Sequence, residues 1–336
     1  MRGRFQTLVP VAGVCLATAV LTAQVRVDVR LVNVFATVTD DRGRYVGNLG
    51  AGDFVLEEDG VPQKIAHFTK DSDIAVSVGI VLDTSGSMER KIRTATAAVE
   101  RFVRSIHKED DVFLMTFSGE PSLRQEFTND RGKLTGALRK VRVTGGTALY
   151  DALGQALTKM RQGRHDKRAL LVITDGQDTA SVMKINEANQ AVRESEYLVY
   201  ALGISPMTYA QGEDHIPFSW PLPSSLSGRI GISNQRDAVD MNVLNSFAES
   251  SGGQAFLLNE SVIGGRTEGG ERGGRGERES EIDKVLDEVA AELRSQYTLG
   301  YYPTRPDDGS FHSIKVTSKS GHNVRARKGY IAPAAR

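Results

Sequence analysis

The feature that most constrains this chain is a repeated pattern: an apolar run that breaks off in an aspartate. It occurs in IAVSVGIVLD, ending at Asp83, and again in RALLVITD, ending at Asp175. A half-buried strand alternates apolar and polar residues, whereas a near-continuous apolar run fits a strand covered on both faces. Covering both faces takes helices, and the surrounding sequence supplies them. KIRTATAAVERFVRSIH places Ile92, Ala95, Val99, Phe102, Val103 and Ile106 on one helical face. DVFLMTFSG, SLRQEFTN, YLVYALGIS and QAFLLN read as strands. RGKLTGALRKVR, ALYDALGQALTKMRQG, KINEANQAVRES and VLNSFAESSGG read as helices, the last stopped by glycine. This alternation predicts an α/β domain: a doubly wound, mainly parallel central sheet with helices on both faces.

The flanks read differently. Residues 24–72 and 297–336 carry strand alternation and turn signals such as DDRG and EEDGVP. Neither is long enough to build a core by itself. They are expected either to pair as one small all-β, sandwich-like unit with the α/β domain inserted between them, or to pack separately on it. The α/β domain is expected over 73–260, with an insertion at 205–239 that is too long for an ordinary connection. Residues 261–280 are rich in Gly and charge and read as a flexible linker. EIDKVLDEVAAELRSQ, 281–296, returns as a closing helix with Ile282, Val285, Leu286, Val289 and Leu293 on one face.

At the N-terminus, Arg2 and Arg4 precede a mostly apolar stretch from Leu8 to Leu21, with Ala23 as a cleavage residue. Residues 1–23 read as a secretory signal peptide, the alternative being an uncleaved anchor. The single cysteine, Cys15, lies within it, so a chain processed there has no thiol and no disulfide. The expected location is periplasmic, cell-surface or extracellular. Later sequence holds no apolar stretch long enough to span a bilayer. Lys plus Arg equals Asp plus Glu, 42 each, so no basic excess points to nucleic acid.

Why should buried strands end in acids and hydroxyls? In an open parallel sheet the carboxyl ends of the strands share one edge, and ligands bind where strand order reverses. If the strands before Asp83 and Asp175 are neighbours, two carboxylates meet there. In a tight loop, Asp83, Ser85 and Ser87 can turn the same way, and Gly145-Gly146 can bring Thr147 close. An all-oxygen set with few carboxylates suits a hard cation: Mg²⁺, which wants six oxygens, with Mn²⁺ or Ca²⁺ as alternatives.

The segments DTSGS (83–87), GGT (145–147) and ITDG (173–176), in this order and on these elements, resemble the metal-ion-dependent adhesion site of von Willebrand factor A domains. The whole arrangement is similar to secreted bacterial, acidobacterial-type proteins related to that family. The resemblance implies that Ser85 and Ser87 ligate the ion directly, and that Asp83, Thr147 and Asp175 ligate directly or through water. It also implies a protein partner that supplies a Glu or Asp to the metal. Asp178 is expected to cap the following helix or support the ligands. Asp151, in a first helical turn, is expected to be favoured there by the helix dipole. Glu213, Asp214, Phe218 and Trp220 are candidates for a partner-binding rim.

No P-loop, G-x-S-x-G elbow or H-E-x-x-H is present, and no base with a supporting partner stands beside the motif. The expectation is therefore a non-enzymatic, exported adhesion or scaffold module. A structural subunit whose metal only staples loops is the alternative, and a metal-dependent hydrolase a more remote one.

Overall fold

In a computed structural model of the 336-residue chain, residues 31–70, 74–205, 239–259, 281–305 and 308–334 are described. The central element is a six-stranded sheet. Its strands are β5 (Ser77–Asp83), β6 (Asp111–Phe117), β7 (Pro121–Thr128), β8 (Arg168–Thr174), β9 (Leu198–Ser205) and β10 (Ala255–Asn259), in spatial order β10-β9-β8-β5-β6-β7. All neighbours are parallel except the edge strand β7. Every residue of β5 is buried, as its unbroken apolar run requires.

Alternate residues feed two cores. Val78, Ile80 and Leu82 face one layer with α1 (Ile92–Ser105), α2 (Arg131–Leu138) and the closing helix, whose Ile282, Leu286 and Leu293 are all buried there. Val81 faces the other, with α3 (Leu149–Met160), α4 (Ile185–Glu194) and α5 (Met241–Ser251). Gly79 lies between Phe113 and Leu170 on that second face. A Cβ there would come within 2.4 Å of the Phe113 ring, so the glycine makes room for the aromatic.

The flanking segments pair with each other. Strands β1 (Val32–Thr39), β2 (Phe54–Glu58), β3 (Val61–Gln63) and β4 (Ile65–Lys70) precede the α/β unit. After the closing helix, α6 (Glu281–Ser295), come β11 (Tyr297–Tyr301), β12 (Phe311–Ser318), β13 (Asn323–Ala326) and β14 (Gly329–Ile331). They interleave in two antiparallel sheets, β13-β1-β11-β4 and β14-β12-β2-β3. One cluster containing Val34, Val38, Leu56, Tyr297, Leu299, Tyr301 and Val316 lies between the sheets. The chain leaves through β4 and returns through β11, and those two strands are hydrogen-bonded neighbours. The α/β unit is thus an insertion in a β-sandwich. Neither segment has enough apolar surface alone, but alternating residues of both fill one interior.

A buried polar junction ties the two units together. Glu292 of α6, fully buried, accepts from Thr37 Oγ1 (3.0 Å) and Tyr200 Oη (2.7 Å) and pairs with Arg325. Gln296 Nε2 donates to Thr37 Oγ1 and Tyr200 Oη. Lys167, also buried, donates to the Leu293 carbonyl at 2.7 Å. Among the described residues no helix is long and apolar enough to cross a membrane.

Candidate metal centre

Strand order reverses between β5 and β8, because β6 and β7 lie beyond β5 on one side and β9 and β10 beyond β8 on the other. Asp83 is the last residue of β5, and Asp175 follows β8 directly. Both side chains are buried at this crevice. After Asp83 the chain makes a single 3-10 turn, Gly86–Arg90, anchored by the buried Met88. That turn exposes Ser87 while Ser85 stays buried.

Three loops converge here through backbone hydrogen bonds. Gly86 N donates to Gly145 O (3.1 Å) and Thr144 N to Thr84 O (2.8 Å), so the 84–87 and 144–147 loops are laced together. Gly145 has φ +71°, a left-handed conformation that glycine adopts without Cβ strain. Thr179 N and Ala180 N both donate to Thr147 O, bringing in the loop after β8.

The side chains follow. Ser85 Oγ and Ser87 Oγ are 3.0 Å apart. Ser87 Oγ donates to Asp175 Oδ1 at 2.7 Å. Asp83 accepts from Ser85 N at Oδ1 (2.8 Å) and from Thr174 Oγ1 at Oδ2 (2.6 Å). Thr147 Oγ1 and Ser87 Oγ both border Gly176, 3.5 and 3.9 Å from where a Cβ would stand. All five motif residues therefore lie around one crevice. Burial pushes the Asp83 carboxyl up to about 6; the Thr174 and Ser85 hydrogen bonds oppose the rise and the nearby Asp175 charge adds to it.

Asp178 lies one layer out. Its Oδ1 accepts from Ser181 Oγ (2.5 Å) and Tyr150 N (3.3 Å), so it serves the start of α3 rather than the helix that follows it in sequence. Asp151 does more than sit in a first helical turn. Its carboxylate accepts from Val182 N (2.9 Å) and Met183 N (2.8 Å) and fastens the loop after β8. Glu213, Asp214, Phe218 and Trp220 lie outside the described residues.

One participant is absent from the sequence reading: Lys91. It is buried, and its Nζ sits 2.7 Å from Asp175 Oδ2. A lysine just before an amphipathic helix looks like an ordinary solvated residue. Only the 3-10 turn, which swings the α1 start over the crevice, turns it inward.

The fold and this crevice define an α/β domain with a polar site at the switch point of a doubly wound sheet. Residues 78–177, within the α/β unit, match the von Willebrand factor type A domain family. No curated protein matches the chain. Among solved structures it is similar to the conserved hypothetical protein BatB of Bacteroides thetaiotaomicron, at 18% identity over 65% of this chain and 97% of that one, TM-score 0.43. It is similar to the vWF domain of the type V pili tip protein Mfa5 of Porphyromonas gingivalis, at 12% identity over 66% and 95%, TM-score 0.44. It is also similar to proximal thread matrix protein 1 of the mussel byssus, solved with a zinc-occupied MIDAS motif. That match has 13% identity over 71% of this chain and 50% of the mussel protein, TM-score 0.49.

Proposed function

We propose that this chain is an exported, non-enzymatic binding protein whose divalent-metal site captures an acidic side chain of a partner protein. The observation that carries the reading is the convergence of Asp83, Ser85, Ser87, Thr147 and Asp175 at one crevice, with Ser87 facing solvent. These are oxygen donors only, which suits Mg²⁺, with Mn²⁺ and Ca²⁺ as alternatives. Adjacent ligands of an octahedral ion with bonds of about 2.1 Å stand about 3.0 Å apart. The Ser85 and Ser87 hydroxyls already have that spacing, 3.0 Å.

Charge supports capture. Asp83 and Asp175 contribute two negative charges and Lys91 one positive, so a divalent ion would leave the centre positive by one and attractive to a carboxylate. When bound, the ion supplies a Lewis-acidic position for the partner's Glu or Asp oxygen. The chain's own residues fix the rest: Thr174 and Ser85 orient Asp83, Lys91 orients Asp175, and Asp151 and Asp178 hold the loops. Catalysis is disfavoured because Asp83 and Asp175, the two carboxylates at the crevice, both serve the ion on this reading and leave neither as a ready base. A loop staple is also disfavoured. The backbone bonds among the 84–87, 144–147 and 179–180 segments already fasten them without an ion. Export rests on the Arg2, Arg4 and Leu8–Leu21 pattern.

Calorimetric titration of Mg²⁺ into the purified protein and its Asp83→Ala variant tests the site. Saturable binding lost in the variant is expected. Capture of an immobilised Asp- or Glu-containing peptide should then need the metal and vanish with chelator. Equal titration curves for the two proteins would overturn the site, and chelator-insensitive capture would overturn the metal's role.

A further inference from the structure

A second cluster of ligating atoms lies in the β-sandwich, apart from the α/β switch point. β2 ends in Glu58, and Asp59 follows it at the start of the tight turn to β3, with φ +48°. β12 pairs antiparallel with β2, setting Ile314 opposite Glu58. Along β12, His312, Ile314 and Val316 share the buried face, so an imidazole occupies a place in an otherwise apolar row. Its Nδ1 lies 2.8 Å from Asp59 Oδ2 and 3.5 Å from Glu58 Oε1. One ligand atom from each of these three residues fits within 4.8 Å of the others.

We propose that Glu58, Asp59 and His312 form a second metal site, of zinc type, on the β-sandwich.

Three observations carry it. First, His312 is oriented as metal-ligating histidines are. Its Nε2 faces Asp308 Oδ1 and Ser310 Oγ, both at 3.3 Å, leaving Nδ1 to point at Glu58 and Asp59. A carboxylate on the far nitrogen fixes the tautomer and ring plane of a ligand imidazole. Asp59 is held likewise, its Oδ1 accepting from Ser313 N (2.8 Å) and Ser313 Oγ (3.1 Å) while Oδ2 is directed to the ring. Second, Glu58 is 1% exposed, yet its Oε2 has no hydrogen-bond partner among the described residues; Oε1 accepts from Tyr330 Oη at 3.0 Å. The Tyr301 hydroxyl, equally buried, faces Glu58 and Tyr330 but meets no hydrogen-bond geometry among the described residues. An unsatisfied oxygen on a buried carboxylate is costly, and an ion held by the Glu58 carboxylate would offset that cost. Third, the spacing is right. Neighbouring ligands of a tetrahedral zinc with bonds of about 2.0–2.1 Å stand about 3.4 Å apart. The Nδ1–Oε1 separation of 3.5 Å already fits, and the Nδ1–Oδ2 contact of 2.8 Å need open only slightly.

Charge points the same way. Glu58, Asp59 and Asp308 are faced by His312 and by Arg305, which touches Asp59 Oδ2 at 3.2 Å. The three carboxylates and the one guanidinium sum to minus two, and a divalent ion held beside the imidazole brings the group to zero. An imidazole nitrogen among carboxylates suits Zn²⁺ better than Mg²⁺, in contrast to the oxygen-only crevice of the α/β unit.

The test is Zn²⁺ titration of the full chain carrying Asp83→Ala, which removes a carboxylate from the other site. Imidazole nitrogen resonances are followed by NMR. The expected result is saturable binding with a shift of His312 Nδ1 alone, weakened at least a hundredfold by His312→Asn. The Asp308→Asn variant should weaken it about tenfold while leaving the three ligands in place. The readout on the unmutated cluster stands even if His312→Asn fails to fold. An unchanged His312 Nδ1 resonance at saturating Zn²⁺ would overturn the proposal and identify His312 as an imidazolium held by its carboxylates. Equal Zn²⁺ affinity in the Asp308→Asn variant would equally count against it.

Discussion

Two carboxylates of this protein, Glu292 at the junction and Asp83 at the crevice, are equally withdrawn from water. Glu292 is surrounded. Thr37, Tyr200 and Gln296 donate to Oε1, and Arg325 brings a full positive charge to Oε2. Asp83 has two donors, a backbone amide and a hydroxyl, and no cation of its own. The only described cation at the crevice paired with a motif acid, Lys91, is on Asp175. A buried charge is tolerated when paired and hydrogen-bonded, and is expensive otherwise. One acid is therefore finished as a structural lock. The other has no cation to offset its burial, which pushes its carboxyl up to about 6. The lesson is that burial alone does not mark a functional acid; incomplete compensation does.

The largest effect should come from breaking the lock. Glu292→Ala would strand Arg325, Tyr200 and Thr37 at the junction, and removing one partner of a buried pair costs about 3–5 kcal/mol. Chemical denaturation should show that loss and no change in residual Mg²⁺ affinity per folded molecule. The Asp83→Ala change should do the reverse. It removes a charge that the folded state holds unfavourably, so stability without metal should fall by less than about 1 kcal/mol, or rise, while calorimetric Mg²⁺ binding disappears.

The comparison also predicts a pH dependence. A carboxyl whose folded pKa is raised above its ordinary value of 3.8 binds its proton more tightly when folded. Its contribution to stability is present below that ordinary value and is lost as pH rises through about 6. In chelator, melting profiles of the wild type relative to Asp83→Ala should therefore show a loss on the order of 2 kcal/mol between pH 4 and 7. Added Mg²⁺ should restore it, and more strongly at pH 7 than at pH 5. An identical profile for both proteins would place the strain elsewhere.

Lys91 gives the smallest and sharpest distinction. At the proposed metal site its ammonium and a divalent ion would compete for the same Asp175 carboxylate. In Lys91→Met, Mg²⁺ affinity should rise about tenfold, some 1.4 kcal/mol. Capture of an acidic peptide should weaken, because the loaded centre would be neutral rather than positive. Parallel gains in both would show that Lys91 only crowds the ion.

Much of this was legible in the residues. The unbroken apolar run before Asp83, the helical spacing of Val99, Phe102 and Val103, and the closing-helix face of Ile282, Leu286 and Leu293 all report local burial, which periodicity encodes directly. The polar tips of β5 and β8 were visible because acids and hydroxyls are out of place at the ends of buried strands. The pairings were not visible. Lys91 meets Asp175 across 84 residues, Glu292 meets Thr37 across 255, and His312 meets Asp59 across 253.

The sequence by itself determined the layers of the α/β unit and the residue types offered at its edge. Only the tertiary structure decided which charges meet. Periodicity is a property of neighbours in the chain and survives in any fold that buries the same face. Charge compensation depends on distances between segments remote in sequence. Here those distances follow from the order β8-β5-β6, from the 3-10 turn that directs Lys91 inward, and from the return of the chain beside β4.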